Sequence, residues 1–162
     1  MKLRISLLLL FLLVPLLAAC SSGTPPTPQQ SGGTQPAVKQ SIVPTAEPGN
    51  STVTGTVVGA NTNQPIKRTP VYLAEIHWDA DHKEAAFVLN ISSSSAAQTD
   101  ENGFFAFSKV QPAEYAIIVG DYYGRNDVLR ESNGNARIFQ PQAGQIFDIG
   151  KFEMPADVQV NK

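Results

Sequence analysis

Apolar and polar residues alternate in short runs from Thr52 to Met154, and glycine, proline, asparagine and aspartate punctuate the gaps. Thr52-Val53-Thr54-Gly55-Thr56-Val57-Val58 has a period of two and is rich in β-branched residues, which predicts a half-buried strand with Val53, Gly55 and Val57 on one face. Residues 59–65 carry turn chemistry, and Ile66 is expected to plug the core as the chain crosses. Pro70 to Ile76 forms a second strand, with proline at its start, where its missing N–H is tolerated. Residues 77–98 are harder to assign. Their pattern supports a polar loop bearing His77 and His82, a short apolar strand within 85–91, and a serine-rich loop.

The clearest pattern follows. Asp100-Glu101-Asn102-Gly103 has the composition of a tight turn, with Asn-Gly suited to positive φ. In the strand after it, Phe105 and Phe107 alternate with Phe104 and Ala106, so one pair faces the core. A second turn at 111–114 leads into Tyr115-Ala116-Ile117-Ile118-Val119-Gly120. Residues 125–136 read as a long polar loop and 137–139 as a short strand. The last strand, 145–154, is expected to bend at Gly150 and to end at Pro155. Short strands with turns every 8–12 residues or so, and no helical periodicity, predict an all-β fold: a seven-stranded Greek-key β-sandwich over residues 51–156, with a polar tail at 157–162.

Several of these motifs resemble the carboxypeptidase regulatory-like domain. They are Thr54-Gly55-Thr56-Val57, Gln64-Pro65-Ile66 with Pro70-Val71-Tyr72-Leu73, Thr99 to Phe107, Val110 to Tyr115, and Ala143-Gly144-Gln145 with Asp148-Ile149-Gly150. Ala113 stands where that family usually has glycine. The resemblance implies a transthyretin-like (prealbumin-like) sandwich acting as a structural or binding accessory module without catalytic residues of its own.

The N-terminal pattern is different. Lys2 and Arg4 precede an apolar run from Ile5 to Leu17, too short for a comfortable membrane span, and small residues Ala18-Ala19 precede Cys20. This predicts a signal peptide over residues 1–19. Leu17-Ala18-Ala19-Cys20 resembles a bacterial lipobox, which implies cleavage before Cys20 and a diacylglycerol on its sulfur. Cys20 is the only cysteine, so no disulfide can form within the chain. The expected location is extracytoplasmic, lipid-anchored to the cell membrane or outer membrane, with the membrane engaged through the lipid on Cys20. After Cys20, residues 21–50 are dominated by Ser, Thr, Gly, Pro and Gln, and hold six of the twelve prolines. Such a linker cannot bury enough apolar surface to offset its ordering entropy, and is expected to be a disordered stalk of reach about 30 Å as a coil and at most ~90 Å in polyproline II form.

Charge narrows the partners. The net charge of −2 becomes more negative once Lys2 and Arg4 are removed, and no basic footprint for nucleic acid exists. Neither histidine opens a His-x-x-Glu zinc motif, since Ala80 and Ala85 stand at that spacing. His77, Asp79, Asp81 and His82 are better read as a solvated loop than as metal ligands, and Asp100 to Gly103 as a turn rather than a calcium loop. No cofactor and no enzymatic activity are expected. Trp78, Tyr122 and Tyr123 are the candidate binding residues, because aromatic side chains in loops stack on sugars or anchor protein partners. The sequence places a protein-binding or spacer module first and a carbohydrate- or cell-wall-binding module second. Function is expected in residues 77–98, in residues 122–136 and at Cys20, and an exposed edge strand would allow strand addition.

Overall fold

The computed structural model describes residues 40–90 and 92–160. The signal segment, Cys20 and residues 21–39 of the linker lie outside them. Nine strands run in the order β1 (Ser51–Gly59), β2 (Pro70–Trp78), β3 (Ala85–Val88), β4 (Ala96–Gln98), β5 (Phe104–Val110), β6 (Tyr115–Gly120), β7 (Asn126–Val128), β8 (Ile138–Phe139) and β9 (Ile146–Met154). They form a β-sandwich of two sheets. The smaller has the order β5-β1-β9 and the larger β3-β2-β6-β7, with β4 paired to β2 and β8 to β6.

Nine strands fill seven positions. β3 pairs with Glu75–Trp78 and β4 with Pro70–Tyr72, while β6 occupies the opposite side of β2. β3 and β4 therefore share one edge. β7 and β8 share the far edge of β6 in the same way. The seven-position sandwich expected from the pattern is present, with two of its edge strands broken. β4 and β7 lie where the pattern reads as loops. Ala-Ala-Gln and Asn-Asp-Val have little strand propensity, and only pairing with a central strand extends them.

The core lies between the sheets. Val53 and Val57 of β1, Phe105 and Phe107 of β5, and Ile117 and Val119 of β6 are each no more than 2% exposed. Ile66 joins them as expected. Phe105 meets Phe107 and Phe152 edge-on, with ring centroids 5.5 and 6.0 Å apart. Gly55 is what lets Phe105 in, because a Cβ there would lie 2.8 Å from its Cζ. β9 runs parallel to β1, and its register shifts around Gly150, where the strand was expected to bend. Beyond β9 a 3-10 turn, Ala156–Val158, buries Val158 in the core, so the packed unit extends past residue 156 into the stretch that reads as tail.

The turn before β5 is built by Asp100. Its Oδ1 accepts from the backbone N–H of Asn102 (2.8 Å) and of Phe104 (2.9 Å), and its Oδ2 accepts from the Ser41 hydroxyl at 2.5 Å. Burial alone would raise this carboxyl, but those three donors outweigh it and hold the group below its ordinary value. Gly103 sits at φ +77°, and a Cβ on it would collide with the Val57 carbonyl oxygen. The acidic cluster thus shapes a turn. Residues 40–50 have no strand or helix, but three side-chain contacts fix them to the sandwich. Besides Ser41 to Asp100, Glu47 pairs with Lys109 at 3.5 Å and Gln111 donates to Asn50 at 2.6 Å.

Candidate binding groove

The larger sheet is apolar on both faces. Along β2, Val71 and Leu73 point into the sandwich, while Tyr72, Ala74, Ile76 and Trp78 point outward. On β6, Ala116 and Ile118 share that outer face, joined by Val128 and Ile138. A second hydrophobic cluster forms there, and among the described residues no second sheet covers it.

Two short segments bank this outer face into a groove of about 570 Å3. One wall is the β2–β3 hairpin. Ala85 and Phe87 lie directly opposite Trp78 and Ile76, on the same side of the sheet, and Lys83 stands at the turn. The other wall is the tip of residues 130–136, where Arg130 bridges to Ala136 and Glu131 N–H donates to Asn135 at 2.8 Å. Arg130 Nη1 donates to the Gly134 carbonyl at 2.9 Å, which braces the tip. Arg130, Glu131 and Asn135 line this side of the groove.

Trp78 is half-buried and held in place. Its indole Nε1–H donates to Glu114 Oε2 at 2.5 Å, and His82 stacks on it with ring centroids 5.5 Å apart and planes inclined by 28°. The indole is therefore a fixed platform, with a carboxylate setting its orientation. Tyr122 and Tyr123 are elsewhere. Tyr122 packs edge-on against Tyr72 at 6.4 Å, and Tyr123, 86% exposed, packs against Tyr122 at 4.8 Å. Tyr72 and Trp78 are six residues apart on one strand, roughly 20 Å at the usual rise. The structure thus does not bring the three aromatic candidates together: Trp78 lines the groove, and the tyrosines form a separate cluster at the far end of the sheet. Burial and the nearby Asp121 carboxylate raise the Tyr72 hydroxyl above its ordinary value.

The histidines diverge as well. His82 stacks on Trp78, while His77 projects from the opposite side of β2 and is exposed. Among the described residues no three His, Cys, Asp or Glu side chains gather as metal ligands would. The groove lining contains no serine, cysteine or histidine, and its one carboxylate is Glu131.

Sequence reasoning did not single out Lys83, Phe87, Arg130, Glu131 or Asn135. A signal for the outer face was present, because β6 is apolar at both parities, the pattern of a strand buried on both sides. The walls come from the two stretches in which function was expected but no side chain beyond the aromatics could be chosen.

No protein-family model matches the chain, and no curated protein matches it. Among solved structures, it is similar to the major pilin subunit of Bacillus cereus, with 16% identity over 65% of this chain and a TM-score of 0.40. The chain spans 30% of that pilin's length. It is also similar to a candidate carbohydrate binding protein from Pseudomonas aeruginosa, with 17% identity, 67% of this chain and 92% of that one covered, and a TM-score of 0.41. A DUF3823 family protein from Bacteroides uniformis gives 17% identity, 64% and 42% coverage, and a TM-score of 0.39. Likeness of this degree says nothing about what the chain binds.

Proposed function

We propose that this protein is a non-catalytic, lipid-anchored module of the cell surface whose outer groove holds a carbohydrate. The sandwich is read as a carboxypeptidase regulatory-like domain, carried on a stalk from a diacylglyceryl group at Cys20 in the cell membrane or outer membrane. One observation carries the ligand class: the groove pairs an oriented indole, Trp78, with planar hydrogen-bonding groups of Arg130, Glu131 and Asn135 on the opposing wall. A pyranose presents an apolar C–H face and a rim of hydroxyls, which calls for that combination. The volume also lies within the range of about 300–1,000 Å3 usual for small-ligand sites. The groove moves the carbohydrate reading ahead of the protein-partner or spacer reading that the sequence alone puts first.

A glycan array probed with the purified protein and with Trp78→Ala tests this. Binding that falls about tenfold or more in the variant, ~1.4 kcal/mol, supports the reading. An array on which no glycan binds, or on which the variant binds equally, overturns it.

A further inference from the structure

The open edge of the larger sheet carries a second binding feature. β3 is terminal in its sheet, and all four of its residues are exposed, with Phe87 at 45% and Val88 at 48%. The other half of this edge is filled by β4, which lies against β5. Edge strands are usually protected by lysine, proline, a bulge or a covering loop. Ala85-Ala86-Phe87-Val88 contains no lysine and no proline, and its register with β2 is unbroken from Trp78↔Ala85 to Glu75↔Val88.

The direction of the backbone groups follows from the ladder. Ile76 N–H donates to the Glu114 carbonyl, away from β3, and Asp79 N–H donates to the Glu84 carbonyl, toward it. Antiparallel pairs alternate between bonded and unbonded. Asp79/Glu84, His77/Ala86 and Glu75/Val88 are therefore the bonded pairs, and Ala85 and Phe87 turn their N–H and C=O groups outward, where an incoming strand would meet them.

The two faces of this edge differ in chemistry. Ala85 and Phe87 are apolar and lie on the groove side. Ala86 and Val88 lie on the other side, where exposed Glu84 and Glu75 flank exposed His77 opposite Ala86, and the hairpin adds Asp79 and Asp81 with Lys83 as its one lysine. A strand laid along β3 would find an apolar face and an acidic one at a period of two.

We propose that β3 docks an extended segment of a partner protein in which apolar and basic residues alternate. The segment adds to the sheet through main-chain hydrogen bonds with Ala85 and Phe87, its apolar residues against Phe87 and its basic residues toward Glu75 and Glu84.

The probe is a synthetic ten-residue peptide of alternating valine and lysine, measured against the full-length protein by fluorescence anisotropy, with an alternating valine and glutamate peptide as comparison. The lysine peptide is expected to bind, and the glutamate peptide at least tenfold more weakly. Ala85→Pro removes one outward N–H at an edge position that tolerates proline, changes no charge, and is expected to weaken binding tenfold or more. Amide hydrogen exchange on the unaltered protein checks this without a variant: the peptide should slow exchange at Ala85 and Phe87 far more than at Ala86. Binding that is equal in Ala85→Pro, an absence of binding, or unchanged exchange at Ala85 and Phe87 would overturn the proposal. The glycan array on the unaltered protein reads the carbohydrate proposal without the peptide, and the peptide assay reads this one without a glycan, so failure of either is separable from failure of the other.

Discussion

The inner and outer faces of the larger sheet are both apolar, yet they meet different surroundings. Val71, Leu73, Ile117 and Val119 face the smaller sheet and are sealed by it, at 0–2% exposure. Ala74, Ile76, Ala116 and Ile118 are nearly as buried, but what covers them is a hairpin and a loop tip with a groove between. The inner face derives its stability from close packing of rigid strands. The outer face is covered by parts that leave a groove of about 570 Å3 between them. Burial alone therefore does not distinguish the two faces of this sheet; what does is whether the covering element is a sheet or a pair of loops.

Three substitutions probe that contrast, from the largest effect to the smallest. Ile117→Ala on the inner face, where the side chain is 0% exposed between the sheets, should cost about 4 kcal/mol in urea unfolding, toward the high end for such truncations, with carbohydrate binding by the remaining folded fraction unchanged. Ile118→Ala on the outer face should cost about 2 kcal/mol, near the low end for such truncations, because loops relax into the space more readily than a sheet does. Equal losses at the two positions would erase the distinction. Asp100→Ala touches neither face and sets the scale for a turn, with an expected loss of about 1–2 kcal/mol at pH 7. Its carboxyl lies below the ordinary value of 3.8 in the folded chain, so its contribution is present above that pH and fades as pH falls through the folded value. The gap between Asp100→Ala and the unaltered protein should accordingly narrow in urea titrations as pH is taken progressively below 3.8, and a gap that stays constant there would show that the carboxylate charge is not what holds the turn.

Much of the fold was legible because β1, β5 and β6 announce themselves locally. Val53 and Val57, Phe105 and Phe107, and Ile117 and Val119 keep strict spacing between strong turn signals. The edges were less legible, since β4 and β7 are extended by their partners rather than by their own residues. The groove was the least legible part. Trp78 stood out as an aromatic in a polar stretch, but Lys83 and Arg130 stand 47 positions apart and become neighbours only when β2, β6 and β8 lie side by side. Tyr122 and Tyr123 show the converse: aromatic residues that look equivalent to Trp78 on paper are separated from it by the length of a strand. The proposal of a lipid on Cys20 rests on local sequence grammar, which the fold of the sandwich does not touch.

The parallel pairing of β1 with β9 has a consequence in time as well as in space. Thr54 Oγ1 donates to Asp148 Oδ1 at 3.2 Å across 94 positions of chain, and β1 is the central strand of its sheet. The smaller sheet is thus incomplete until β9 has been synthesised, about ninety positions after the strand it pairs with. Contacts so remote in sequence slow folding by the entropy of bringing the ends together. A nascent chain of this protein holds one edge of β1 unpaired until β9 arrives and then closes the sheet along it.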